Sequence, residues 1–142
     1  MPEPTQAGLL DTSVVILLSQ IRDATLLPAV PLISSVTLAE LSIGPLVAQT
    51  DAERAARQAV LQQAEADFDP LPFDDRAARA FGRVAASLRT SGRTKKARSY
   101  DAMIAAIAIA NDLPLYTANP AAVEGIGGLD VRAVSVPPPY DP

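Results

Sequence analysis

The stretch that most constrains this chain is Ala102-Met103-Ile104-Ala105-Ala106-Ile107-Ala108-Ile109-Ala110. Alanine is the best helix former, and the run contains neither Gly nor Pro. A helix at a protein surface keeps one polar face; a helix that is apolar on every side belongs in the interior. The rest of the chain must therefore supply layers around it. At 142 residues the chain has the length of one domain and can bury a sizeable core. With aromatics at 4% and no Trp, aliphatic side chains must fill that core.

The segments on either side of this helix alternate in type. Gly8-Leu9-Leu10 forms a short buried strand, then a polar turn at Asp11-Thr12-Ser13 and a helix through Val14 to Leu18. Pro31 to Ser34 makes a second strand, and Ser35 or Thr37 can cap a helix that carries Leu38-Ala39-Glu40-Leu41. Gly44-Pro45 interrupts it, with Pro45 suited to the first turn of the next helix. Asp51 to about Asp67 is helical and charged, and Asp69 to Phe73 allows only a short or edge strand because of its prolines. Asp74 or Asp75 caps a helix to about Leu88, Thr90 to Thr94 is a polar loop, and the apolar helix spans about Ser99 to Asn111. Strands follow at Pro114 to Thr117 and at Asp130 to Val134, separated by the turn Asn119-Pro120. Residues 137–142 form a proline-rich tail to a single domain spanning 1–142. Alternation of this kind predicts an α/β fold with a mostly parallel sheet covered on both faces. Ligands of such folds sit at the carboxyl ends of the strands, which singles out Asp11 and the stretch Thr117 to Asn119.

The chain has no Cys and no His. Zinc sites of the usual ligand sets, thiol nucleophiles and Ser-His-Asp triads are excluded together. A bound metal must be held by oxygen, which favours Mg²⁺ or Mn²⁺. The net charge of −4 speaks against nucleic-acid binding. It conceals a local exception: Arg93, Lys95, Lys96 and Arg98 fall within one short stretch that contains both lysines of the chain. Such a run is either a solvated loop or a place for an RNA backbone. Met1-Pro2-Glu3-Pro4 has no basic leader and no apolar run, and the longest apolar stretches are too short for a bilayer, so the expected location is cytoplasmic, with no membrane partner.

Three carboxylates stand where a carboxylate is costly or conspicuous. Asp11 ends the first strand and can act as an N-cap. Glu40 shares a helical face with Val36 and Ile43, an apolar stripe that an acid tolerates only at its edge, paired, or bound to a cation. Asp101 opens the apolar helix, where an acid also suits the positive end of the helix dipole. Taken together, acids at strand ends and helix starts suit divalent cations that activate water and stabilise charge on a phosphate. Without a cation they would repel one another.

Four segments in order resemble the PIN-domain nucleases, and among them the VapC-type toxins of bacterial toxin–antitoxin pairs. They are Leu9-Leu10-Asp11-Thr12-Ser13; Thr37-Leu38-Ala39-Glu40-Leu41 with Gly44-Pro45; Ala97-Arg98-Ser99-Tyr100-Asp101-Ala102-Met103-Ile104-Ala105-Ala106; and Leu115-Tyr116-Thr117-Ala118-Asn119-Pro120 followed by Glu124-Gly125-Ile126. The resemblance implies a three-layer sandwich and an Mg²⁺- or Mn²⁺-dependent endoribonuclease that cuts cellular RNA and arrests growth. It also implies a VapB-like antitoxin that blocks the site, and a homodimer. Asp11 and Asp101 match the family's metal ligands, Glu40 its third acid, and Ser13, Thr117 and Asn119 the polar residues around them. Many relatives carry a fourth acid three positions after the Asn, where this chain has Ala122. Glu124 is near enough in sequence to substitute, whereas Asp112 lies too far along the helix. Two readings remain beside the toxin: a PIN module that binds RNA or protein without cutting, and an RNA-processing nuclease without an antitoxin. Phosphatase and receiver-domain readings fit less well, because Ser13 and the placement of both lysines depart from what those sites need.

Overall fold

Leu9 and Leu10 are consecutive and both fully buried, on opposite faces of one sheet. Successive strand residues point to opposite sides, so a strand apolar at both positions must be covered on both. The computed structural model describes residues 6–90 and 99–135. Its strands are β1 (Ala7–Leu10), β2 (Val30–Leu32), β3 (Leu115–Thr117) and β4 (Val131–Ala133), arranged β2-β1-β3-β4 with every pairing parallel. Leu115 and Tyr116 repeat the alternation on β3, where they pair in register with Leu9 and Leu10.

Five α-helices accompany the sheet among the described residues: α1 (Thr12–Leu17), α2 (Ser35–Ile43), α3 (Asp51–Asp67), α4 (Asp75–Thr90) and α5 (Ser99–Ala110). Helices α4 and α5 cover the Leu9 face. The buried stripe of α4, Ala77, Ala80, Val84 and Leu88, has helical spacing and packs along α5. In α5 the residues Ala102 and Ile104 to Ala108 are buried, as its composition requires. The Leu10 face is covered by Val14 and Val15 of α1, with Leu41 of α2 and Ala64 of α3. The result is the expected three-layer α/β sandwich.

Local chemistry accounts for the helix ends. Asp74 caps α4 by accepting from Ala77 N at 3.0 Å. The cap of α2 is Ser34, which accepts from Thr37 N at 3.1 Å, rather than Ser35 or Thr37 themselves. Past the last turn of α5, Asp112 has φ of 54°, and Asp112 N and Leu113 N donate to Ile109 O and Ala108 O. This left-handed closure is the usual way to satisfy a helix's last carbonyls. It gives Asp112 a structural task at the end of α5 away from Asp101. The prolines of residues 69–73 reduce that segment to one bridge, Leu71 against Ser34. Gly8 is required on β1 because a Cβ there would collide with the Tyr116 ring. The basic residues Arg93, Lys95, Lys96 and Arg98, like the tail at 137–142, lie outside the described residues. No described helix is long and apolar enough to cross a membrane.

Candidate active site

Asp11 follows the last residue of β1, at the carboxyl edge of the sheet, and Asp11 N donates to Tyr116 O of β3. The chain turns here into α1, so the next two side chains fan outward around the acid. Ser13 Oγ donates to Asp11 Oδ1 at 2.5 Å, and Val14 N donates to the same oxygen at 3.2 Å. Ser13 Oγ in turn accepts from Ala118 N at 3.0 Å, which ties the turn to the end of β3. Asp11 is therefore both the helix cap and a buried acid, 6% exposed. Among the described residues, nothing donates to its Oδ2.

Thr12 points the other way, and its Oγ1 donates to Glu40 Oε1 at 2.7 Å. The same Thr12 oxygen lies 3.0 Å from Thr37 Oγ1. Glu40 is half-buried on α2. Burial pushes its carboxyl above the ordinary value of 4.5; the Thr12 hydrogen bond pulls it back, and the charge of nearby Asp11 adds to the rise. Neither Asp11 nor Glu40 has a cationic side-chain partner among the described residues. Two acids from different elements are thus held near one another, each with one oxygen tied to a hydroxyl.

The expected triad is only partly assembled. The structure brings Asp11 and Glu40 together. Asp101 is half-buried in the first turn of α5, a helix that packs against α2. Among the described residues no three acids converge closely enough to enclose one ion. Ile43, expected to share an apolar face with Glu40, is 43% exposed, so Glu40 stands at the rim of the core rather than within it. Of the outer polar residues, Ser13 is engaged as described. Thr117 is fully buried and accepts from Asn119 N at 3.0 Å. The Asn119 side chain is exposed. Ala122 is buried in the short turn Pro120–Val123. Glu124 lines a different groove, with Ile126, Leu129 and Val131, to which neither Asp11 nor Glu40 contributes.

Thr12, Thr37 and Ser34 are not singled out for the site by the sequence. Thr37 reads as a possible cap and Thr12 as part of a polar turn, and only the proximity of Thr12 to Asp11 could raise its standing. A groove of about 480 Å³ opens over Glu40, lined by Thr12, Ile16, Leu41, Ala56, Arg57 and Val60. A neighbouring groove of about 240 Å³ shares Ile16 and Val60 and runs on past Ala59 and Phe68. Arg57 is anchored at the mouth by donating to Gly44 O at 3.0 Å.

The donor chemistry fits a hard divalent cation: carboxylate and hydroxyl oxygens, with no cationic side chain paired to them among the described residues. Comparison with known proteins identifies the family rather than the ion. Residues 8–123 match the PIN domain family. Ribonuclease VapC5 of Mycobacterium tuberculosis is 41% identical over 132 residues, covering 90% of this chain and 96% of the relative. The crystal structure of VapBC-5, a member of the VapBC family of toxin–antitoxin systems from that organism, aligns with a TM-score of 0.77 and 40% identity over 92% of this chain and 100% of that one. The DNA-bound VapBC of Salmonella typhimurium aligns with a TM-score of 0.69 and 25% identity, over 90% and 98% of the two chains. A family match that spans all three acids, with a relative this similar along nearly its whole length, places the chain in the PIN-domain family, in its VapC-like branch.

Proposed function

We propose that this chain is a divalent-metal-dependent endoribonuclease and the toxin of a toxin–antitoxin pair. The observation that carries the proposal is the Asp11–Glu40 pair: two acids at the carboxyl edge of the sheet, fixed by hydroxyls and without a cationic partner among the described residues. Asp11 and Glu40 hold Mg²⁺ or Mn²⁺, with Asp101 as the third acid. Magnesium commonly uses one or two carboxylates and completes its shell with water and substrate phosphates, so a pair with a third acid on a neighbouring helix suffices. When bound, such a cation supplies Lewis acidity toward the phosphodiester and activation of water.

The chain's own residues do the rest. Ser13 and Val14 N fix one oxygen of Asp11, and Thr12 fixes one oxygen of Glu40, so each acid presents its other oxygen in a set direction. Arg93, Lys95, Lys96 and Arg98 precede α5 in the chain and hold the RNA backbone near Asp101, an interaction that weakens with salt as counterions are released. The relatives solved as VapBC complexes support an antitoxin partner. Its binding segment occupies the apolar groove between α1 and α3, and a cationic side chain from it reaches Glu40. Ala122 is the one observation that favours a non-cutting module instead, since it removes the fourth acid common among relatives.

Purified protein tests the reading on total RNA. Cleavage requires Mg²⁺ or Mn²⁺ and stops with EDTA; Asp11→Asn and Asp101→Asn abolish it while the circular dichroism spectrum is unchanged. Both variants cutting at the wild-type rate would overturn the proposal. Binding of RNA by the wild type without cutting would favour the non-cutting module.

A further inference from the structure

Glu40 is held by a line of hydroxyls that extends well beyond its direct partner. Thr12 touches the carboxylate, Thr37 Oγ1 stands 3.0 Å behind Thr12, and Ser34 Oγ stands 3.4 Å behind Thr37. Ser34 and Thr37 are fully buried, so neither hydroxyl has water as an alternative partner. We infer that Thr37 is a positioning residue for Glu40, acting through Thr12, with Ser34 as the far end of the same line. The inference rests on the metal-dependent reading of the site.

Counting protons gives the line a direction. A hydroxyl has one proton to donate, and an ionised carboxylate only accepts. Thr12 therefore spends its proton on Glu40, and its oxygen is left to accept from Thr37. The Thr37 oxygen then accepts from Ser34, whose own oxygen takes Thr37 N at 3.1 Å. Every proton in the line points toward the carboxylate, and bonds aligned this way strengthen one another. The line also crosses between elements: Thr12 opens α1, Thr37 lies in the first turn of α2, and Ser34 ends the approach from β2. Glu40 Oε1 is thereby fixed relative to the turn that carries Asp11. Oε2, which has no donor among the described residues, is left for the ligand. Without Thr37, Thr12 can rotate and satisfy its oxygen with water from the groove, and Glu40 loses its fixed bearing on Asp11.

The experiment is Mn²⁺ binding to the RNA-free protein by titration calorimetry, for wild type, Thr37→Val, Thr37→Ser, Thr12→Val and the Thr12→Val/Thr37→Val double variant, with RNA cleavage followed in parallel. Thr37→Val keeps the shape and removes the hydroxyl. It weakens Mn²⁺ binding about 10-fold or more, within the ~10–100-fold typical of groups that orient a metal ligand, and Thr37→Ser restores it. The double variant binds no more weakly than Thr12→Val alone, because residues acting through one another are not additive. Ser42→Ala, which removes a hydroxyl bonded to Leu38 O on the exposed side of the same helix, changes nothing. Wild-type Mn²⁺ affinity in Thr37→Val overturns the inference, as do additive losses in the double variant. Should Thr37→Val fail to fold, Thr12→Val at its half-buried position decides alone, and unchanged affinity there overturns it. A wild type that neither binds Mn²⁺ nor cuts RNA overturns the nuclease reading and this inference together, whereas a wild type that does both, with Thr37→Val unaffected, overturns only the inference.

Discussion

Helices α3 and α5 differ in how they are held. Helix α5 has 12 residues, with Ala102 and Ile104 to Ala108 buried. Helix α3 is longer, 17 residues, yet buries only Ala64. Its ends and charges are served locally: Thr50 caps it, and Arg54–Asp51 and Arg57–Glu53 pair along its exposed side. Helix α5 is where it is because water is expelled from all of its faces; α3 is held by a few contacts and leaves its alanine face in a groove. The position of Asp101 is therefore backed by the core, while α3 contributes surface. Helix α2, which packs on both, carries Glu40 between the two regimes.

The largest effect expected from this difference is in α5. Ile104 is fully buried, and Ile104→Ala costs about 2–5 kcal/mol in urea unfolding, from lost burial and the cavity left behind. A loss below about 1 kcal/mol would mean that the helix is not the centre of the core. A smaller effect of opposite sign is expected on α2. The folded-state value of Glu40 is raised, so its ionisation opposes folding: the benefit of the protonated form is complete below the ordinary value of 4.5 and is lost as pH rises through the raised one. Without metal, Glu40→Gln is therefore more stable than wild type at pH 7, and the gain disappears as the pH falls below 4.5. Equal unfolding curves at pH 7 would show that the half-buried carboxylate is fully relieved by solvent. The smallest effect belongs to α3. Exposed ion pairs contribute little, so Arg54→Glu with Arg57→Glu shifts stability by about 1 kcal/mol or less. It spares RNA cleavage but relieves inhibition by the antitoxin, measured by cleavage with and without the partner. A collapse of folding instead would erase the contrast between the two helices.

This contrast is legible in the sequence because burial follows from composition within one helix. The run from Ala102 to Ala110 has no side to offer water, whereas α3 has charges on most of its turns. The Glu40 stripe is half legible: Val36 is buried as its spacing implies, but Ile43 reaches the surface beyond the end of the packed turn. Asp112 can be set aside by its distance from Asp101, and its positive φ supplies the structural role that distance alone could not. The cap of α2 falls one residue before the expected Ser35, since Ser34 and Ser35 look equivalent until the strand end before them is positioned.

The sequence alone determined the layers, through apolar strand residues and an all-apolar helix, and it restricted any metal site to oxygen ligands, because the chain has no His and no Cys. Tertiary structure decided the strand order β2-β1-β3-β4, the direction in which each side chain of Asp11-Thr12-Ser13 points, and the meeting of Asp11 with Glu40. The reason is range. Helical and strand periodicity is written within a few neighbouring residues, but the Thr12–Glu40 bond joins positions 28 apart and the Ala118–Ser13 bond positions 105 apart. A hydroxyl's partner at that distance depends on which strands pair and how the helices pack over them, and no local pattern encodes it.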